Sequence, residues 1–166
     1  MGKSTAFETE LGWITLAWSE QGVSLLRFTG PAHPEVESHS VPDWVRAAAD
    51  ALTRFLAGQP ASLHAIPLDL EGLTPFAQRV LEALRGTRPG ETLTYGHLAR
   101  LAGSPGAARA VGQVMAKNPL PILIPCHRVV GAQGPGGFSL FGSLATKERL
   151  MALEAETWSG WDTETP

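Results

Sequence analysis

The chain contains a single cysteine, Cys126, in the run Pro119-Leu120-Pro121-Ile122-Leu123-Ile124-Pro125-Cys126-His127-Arg128-Val129-Val130. One thiol makes no intramolecular disulfide and cannot build a multi-thiolate zinc site. Two roles remain, a buried packing residue or a nucleophile. Free cysteine is among the most buried residue types, which favours packing. Its neighbours point the other way. Three prolines and a short β-branched stretch deliver the thiol, with a histidine beside it, to what reads as a rigid strand end. An ordinary thiol, with a pKa of about 8.5, is only a few per cent thiolate at neutral pH, so a nucleophilic cysteine needs activation.

The elements that must position this block are readable in outline. Gly12–Trp18 and Val23–Phe28 are strand-like, with a turn over Ser19-Glu20-Gln21-Gly22 between them. Trp44, Ala48, Leu52 and Phe55/Leu56 recur at helical spacing, and Gly58 closes that helix. Ile66-Pro67-Leu68-Asp69-Leu70 reads as a short extended segment. Thr74 and Pro75 start a helix with the apolar face Phe76, Val80, Leu81 and Leu84, and Gly86 stops it. Thr94 caps a helix from Tyr95 to Ala102. Ser104 caps the next, with Pro105 at its first position, and Asn118-Pro119 breaks it. Two short helices joined by Gly103-Ser104 have the outline of a helix-turn-helix. A last helix spans about Ala145 to Ala155.

Charge is unevenly placed. Residues 1–72 carry 4 Lys/Arg against 9 Asp/Glu, whereas residues 73–128 carry 7 against 2. The net charge of −3 therefore hides a basic segment that ends at the cysteine, and a patch governs polyanion binding more than a net value does. Gly72 coincides with the change, which gives two expected domains, 1–72 and 73–166. No apolar run approaches the ~18 residues of a membrane span, and Met1-Gly2-Lys3-Ser4-Thr5 lacks the apolar stretch expected of a secretion signal. A soluble protein of a reducing compartment, the cytoplasm, is expected.

The second helix of the pair has an unusual composition. A helix that reads bases in the major groove presents Arg, Asn, Gln or Ser at several exposed positions. Residues 105–116 offer Gly106, Ala107, Ala108, Ala110 and Gly112 with one long cation, Arg109. Two readings fit. Either the helix packs tightly inside its own domain, or it forms a flat wedge against the minor groove with Arg109 inserted into the base stack.

Pro125-Cys126-His127-Arg128-Val129-Val130, preceded by Asn118-Pro119 and by Ala107-Ala108-Arg109-Ala110-Val111-Gly112, resembles the O6-alkylguanine-DNA alkyltransferases. The likeness extends over most of the chain. The Leu11–Phe28 hairpin, Pro67-Leu68-Asp69 and the helix start from Thr74 to Val80 are similar to that family, as are Lys147, Leu150 and Glu154 near the end. It implies an α+β fold, with a ribonuclease-H-like N-terminal domain and a helical, winged helix-turn-helix C-terminal domain.

The resemblance also implies the chemistry. An alkyl group on guanine O6 passes irreversibly to Cys126, with His127 as base through water and Glu154 orienting the imidazole. Neighbours on a strand point to opposite faces, which suits a relay through water. Because the target atom lies inside the duplex, the nucleotide must be flipped out. Arg109 would fill the gap, with Ala107, Ala108 and Gly112 against the DNA. Arg128 reads as structural or as a phosphate contact. Tyr95 would donate to the guanine ring, and Asn118 would buttress the site. The Cys126 and Val129 carbonyls would accept from the exocyclic amine, the Ser139 amide would face O6, and Met115 and Pro121 would form an apolar wall. The implied partner is double-stranded DNA carrying alkylated guanine, bound by a monomer without sequence preference; no cofactor or metal is implied.

Departures from the family pattern are local. Phe138-Ser139-Leu140-Phe141-Gly142-Ser143-Leu144 is a lengthened pocket loop, in which either Phe138 or Phe141 could be the pocket aromatic. Leu81 and Arg149 stand where tryptophan is common. A non-reactive lesion sensor is the main rival, and Cys126 argues against it, since relatives of that type lack the cysteine. A Cys-His hydrolase is a further rival, but it needs an oxyanion hole and turns over.

Overall fold

In the computed structural model, residues 3–34, 40–131 and 144–157 are described. The chain separates into two compact units, one comprising the residues up to Asp69 together with those from Glu156 on, the other Leu70 to Ala155.

The first unit is a three-stranded antiparallel meander of β1 (Lys3–Thr9), β2 (Gly12–Trp18) and β3 (Val23–Gly30), with a helix, α1 (Asp43–Leu56), against β1. The period-two alternation of β2 buries Ile14, Leu16 and Trp18 on one face. The helix buries Val45, Ala48, Leu52, Phe55 and Leu56, so Val45 rather than the half-buried Trp44 begins its apolar stripe. Strand β1 has no counterpart among the sequence expectations. Beyond β3, the extended Ile66–Leu70 segment returns to the sheet. The Val23 amide donates to the Pro67 carbonyl at 2.9 Å, and the Asp69 amide donates to Val23 at 2.8 Å.

The second unit contains α2 (Pro75–Arg85), β4 (Leu93–Thr94), α3 (Tyr95–Leu101), α4 (Ala108–Ala116), a 3-10 turn (Cys126–Arg128), β5 (Val129–Val130) and α5 (Leu144–Thr157). Thr74 and Thr94 cap α2 and α3 by accepting from the amides of Ala77 and His97, each at 3.1 Å. Both caps are readable in the sequence. Val80, Leu81, Leu84, Leu98, Val111, Leu120, Ile124, Leu150 and Leu153 form the core. Helices α3 and α4 pack as a helix-turn-helix.

Two local expectations need correction. Helix α4 begins at Ala108, not at Pro105. Gly106 has φ +88°, which ends helical propagation, and the Ala107 amide donates to Ser104 at 3.1 Å. Proline followed by a left-handed glycine is the signature of a type II turn, and it forms the connection between the helices. The second correction concerns Cys126 and His127, which lie on the 3-10 turn rather than at a strand end. Pro125 precedes that turn and accepts from the Arg128 amide at 3.0 Å, so the opposite-face argument for a strand does not apply.

Strands β4 and β5 pair in parallel, Leu93 with Val129 and Thr94 with Val130. That pairing places the start of α3, at Tyr95, beside the residues that follow Cys126.

A close approach in the first unit yields a test. A Cβ on Gly22 would lie 2.6 Å from the Pro67 carbonyl, against backbone that cannot swing away. Gly22→Ala is expected to lower stability by about 1–3 kcal/mol, as overpacking does, read as a lower urea midpoint with an unchanged slope.

Candidate active site

The chain from Asn118 to Val129 is almost wholly buried. It enters through a tight loop in which Asn118 bonds on both sides. The side-chain amide donates to the Ile124 carbonyl at 3.0 Å, and its oxygen accepts from the Leu120 amide at 3.0 Å. Ile122, a buried β-branched residue, has φ +73°, an uncommon and strained conformation. The two Asn118 bonds and the Ile124 amide bond to Leu120, at 2.8 Å, hold it there. The run of prolines and branched residues is thus a folded support rather than a strand.

Cys126 is 4 % exposed, and burial pushes its thiol up to about 11. The Asn118 side chain and the Lys147 ammonium act against that rise. At neutral pH the thiol therefore keeps its proton, and a nucleophilic role requires a base. Tyr95 is half-buried, and its pKa is raised by burial and then by the charge of Cys126, which places the phenol within electrostatic reach of the sulfur.

His127 is fully buried and contacts Glu154 across 2.7 Å through Nε2. A carboxylate only accepts, so the proton on that bond belongs to Nε2. Nδ1 is buried and has no partner among the described residues, which leaves its lone pair available. Glu154 sits on α5 with 3 % exposure. Burial alone raises its carboxyl, but the hydrogen bond and charge of His127, and then those of Arg128, outweigh this and hold it down at about 2. Glu148, the rival carboxylate, is exposed.

Arg128 is 5 % exposed and forks onto Glu154, with Nη2 donating to Oε1 at 2.8 Å. This geometry matches the structural alternative of the sequence reading. A guanidinium bound to Glu154 and Thr87 in the interior is not offered to a phosphate, so Arg128 leaves the DNA-facing set.

The remaining expected residues divide cleanly. Met115, Pro121 and Val129 are buried with the cysteine. Ala107, Ala108 and Gly112 are half-buried on or beside α4, where Arg109 is exposed. A Cβ on Gly112 would meet the Tyr95 ring at 3.9 Å, so this glycine also lies against the phenol. Phe138, Ser139 and Phe141 lie outside the described residues. Sequence reasoning did not give Lys147 a place in the site. It is fully buried, and its Nζ donates to the Val129 carbonyl at 2.6 Å. The available signal was a lone lysine on the apolar Leu150–Leu153 side of a helix. Among the described residues, no group of three or more His, Cys, Asp or Glu could hold a metal ion.

A helix-turn-helix unit that buries one thiol next in sequence to a histidine paired with a carboxylate is the construction expected of a protein that acts through its own cysteine. Residues 75–156 match the family described as "6-O-methylguanine DNA methyltransferase, DNA binding domain". Methylated-DNA–protein-cysteine methyltransferase of Mycobacterium tuberculosis is 38 % identical over 150 residues, spanning 89 % of this chain and 88 % of the relative. The protein of that name from Methanosarcina acetivorans is 39 % identical over 152 residues, spanning 89 % and 95 %. The crystal structure of Mycobacterium tuberculosis OGT in complex with DNA superposes with a TM-score of 0.75 at 36 % identity, covering 93 % of this chain and 94 % of that one. The chain belongs to the O6-alkylguanine-DNA alkyltransferase family, also called the methylated-DNA–protein-cysteine methyltransferases.

Glu154 provides a stability test with a definite sign. Its folded pKa of about 2 lies below the ordinary 4.5, so the unfolded chain binds the proton more readily in that window. The stabilisation is complete above pH 4.5 and is lost as pH falls towards 2. By linkage it is on the order of 3 kcal/mol. Denaturant titrations from neutral to acid pH should show this loss in the wild type, and Glu154→Gln should lack that component of it.

Proposed function

We propose that this chain repairs DNA by a direct, irreversible transfer of an alkyl group from O6 of guanine to Cys126, with O4-alkylthymine as a second candidate substrate. The observation that carries this reading is the sole cysteine, buried beside an imidazole whose Nδ1 is available. Family membership supplies the substrate class.

The step balances without a cofactor. The Cys126 proton passes through a bridging water to His127 Nδ1, while Glu154 holds the ring by Nε2. Sulfur attacks the alkyl carbon in line, an S–C bond forms, and the C–O6 bond breaks. Its electrons pass to the purine, which the Tyr95 hydroxyl helps to neutralise by donating a hydrogen bond. Lys147 contributes a positive charge that favours the developing thiolate. The product thioether offers no good leaving group, so one protein molecule performs one reaction.

The remaining roles follow the same reading. Arg109 takes the place of the flipped nucleotide, and Ala107, Ala108 and Gly112 allow the helix to approach the minor groove without reading sequence. Asn118 keeps the loop that carries the cysteine in shape. Val129 accepts from the base, and Met115 and Pro121 face the alkyl group. The protein acts as a monomer in the cytoplasm. No helix among the described residues is long and apolar enough to cross a membrane.

Intact mass after mixing with a duplex containing O6-methylguanine tests the proposal. The wild type should gain one methyl group, on Cys126, at a stoichiometry of one, and Cys126→Ser should gain none. His127→Gln should slow the transfer by roughly 10²–10⁴-fold, the span of general-base catalysis. Tight lesion binding with no mass gain would instead favour a non-reactive sensor, and repeated turnover would favour a hydrolase.

A further inference from the structure

The Glu154 carboxylate is shared. Its Oε1 accepts from His127 Nε2 at 2.7 Å and from Arg128 Nη2 at 2.8 Å, and Arg128 Nε reaches both oxygens at 3.1 and 3.0 Å. Oε2 also accepts from the Gly90 amide at 3.1 Å. The other arm of the guanidinium, Nη1, is turned towards the loop after α2. There it donates to the Thr87 carbonyl at 2.7 Å and to the Thr87 hydroxyl at 2.8 Å. The Thr87 hydroxyl in turn donates to the Leu84 carbonyl at 2.6 Å, which ties the assembly to the end of α2.

We infer that Arg128, locked in place by Thr87, is a positioning residue that governs how readily His127 accepts the thiol proton. The inference rests on the alkyl-transfer reading. A buried carboxylate facing only an imidazole favours the imidazolium, because an opposite charge at hydrogen-bond distance stabilises the charged form. An imidazolium has no lone pair and cannot serve as a base. With Arg128 bound to the same oxygens, the carboxylate is already compensated, so the imidazole gains less by taking a second proton. Arg128 therefore lets Glu154 orient the ring without saturating it.

The charged and titratable groups around the Cys126–Arg128 turn come from several elements. Glu154 and Lys147 are on α5, Cys126 and Arg128 share the turn with His127, and Tyr95 begins α3. The Thr87–Gly90 loop contributes a carbonyl, a hydroxyl and an amide. Of these, only Arg128 places a positive charge directly on the carboxylate that His127 uses. A lysine at 128 would retain the charge but lose the fork that spans Glu154 and Thr87 together.

The test is the single-turnover rate of methyl transfer from an O6-methylguanine duplex, followed over about pH 6 to 9, the range around an ordinary histidine pKa. Wild type, Arg128→Gln, Arg128→Lys and Thr87→Val are compared, with melting curves recorded for each. In Arg128→Gln the acid limb of the profile should move to higher pH by about one unit, giving roughly tenfold slower transfer on the acid side of both midpoints and a smaller loss above them. The rate should recover towards that of the wild type at the alkaline end. Arg128→Lys should restore much of the wild-type midpoint, and Thr87→Val should shift it a little in the same direction as Arg128→Gln. A rate lowered by one common factor at every pH, or an unchanged profile, would overturn the inference. If Arg128→Gln fails to fold, Thr87→Val decides, since it must displace the limb if Arg128 acts as described. Absence of transfer by the wild type at any pH would instead refute the alkyl-transfer reading itself.

Discussion

A single buried carboxylate organises the reactive half of this molecule. Glu154 is withdrawn from water, and an isolated anion in such a place is strongly disfavoured. Four donors compensate it: His127 Nε2, the two Arg128 nitrogens and the Gly90 amide. These partners come from the 3-10 turn and from the loop that follows α2, while the carboxylate itself comes from α5. Satisfying one charge therefore fixes three otherwise unconnected pieces of chain relative to one another. The orientation of the imidazole is a consequence of that arrangement.

A second constraint sits upstream of the cysteine. Asn118 closes the loop from both ends, and Ile122 is held at φ +73° inside it. Strain of this kind persists only where the surroundings over-determine the conformation. The effect is to present Cys126 at one place, in an environment that disfavours its thiolate. A reactive cysteine that stays protonated in the resting protein is guarded against adventitious electrophiles. The proposed proton path runs through His127, and Lys147 and Tyr95 are charged or polar groups coupled to the thiol.

The sequence was most legible where side-chain type dictates backbone. Threonine caps before α2 and α3, the alternation of β2 and the glycine after α1 all carry their physical cause in a few adjacent residues. Glu154 and His127 were placed together by resemblance to a family, not by spacing, since the two are far apart in the chain. What stayed hidden has identifiable reasons. Strand β1 lies at the edge of its sheet, and Lys3–Thr9 has no apolar alternation to betray it. The turn at Pro105-Gly106 imitates a helix start, because proline suits both positions. A charged residue such as Arg128 or Lys147 does not announce whether it faces solvent or a buried partner. The Gly90 amide that completes the Glu154 site is backbone, which no residue type encodes.

With Glu154 accepting from His127 Nε2, Nδ1 is the ring nitrogen left without a partner among the described residues. The most direct measurement is the nitrogen-15 spectrum of the histidine rings in the wild-type protein at neutral pH, with His127 assigned by substitution. The expected result is a protonated Nε2 and a bare Nδ1. A proton found on Nδ1 would contradict it, because the imidazole would then have no site at which to receive the proton of Cys126.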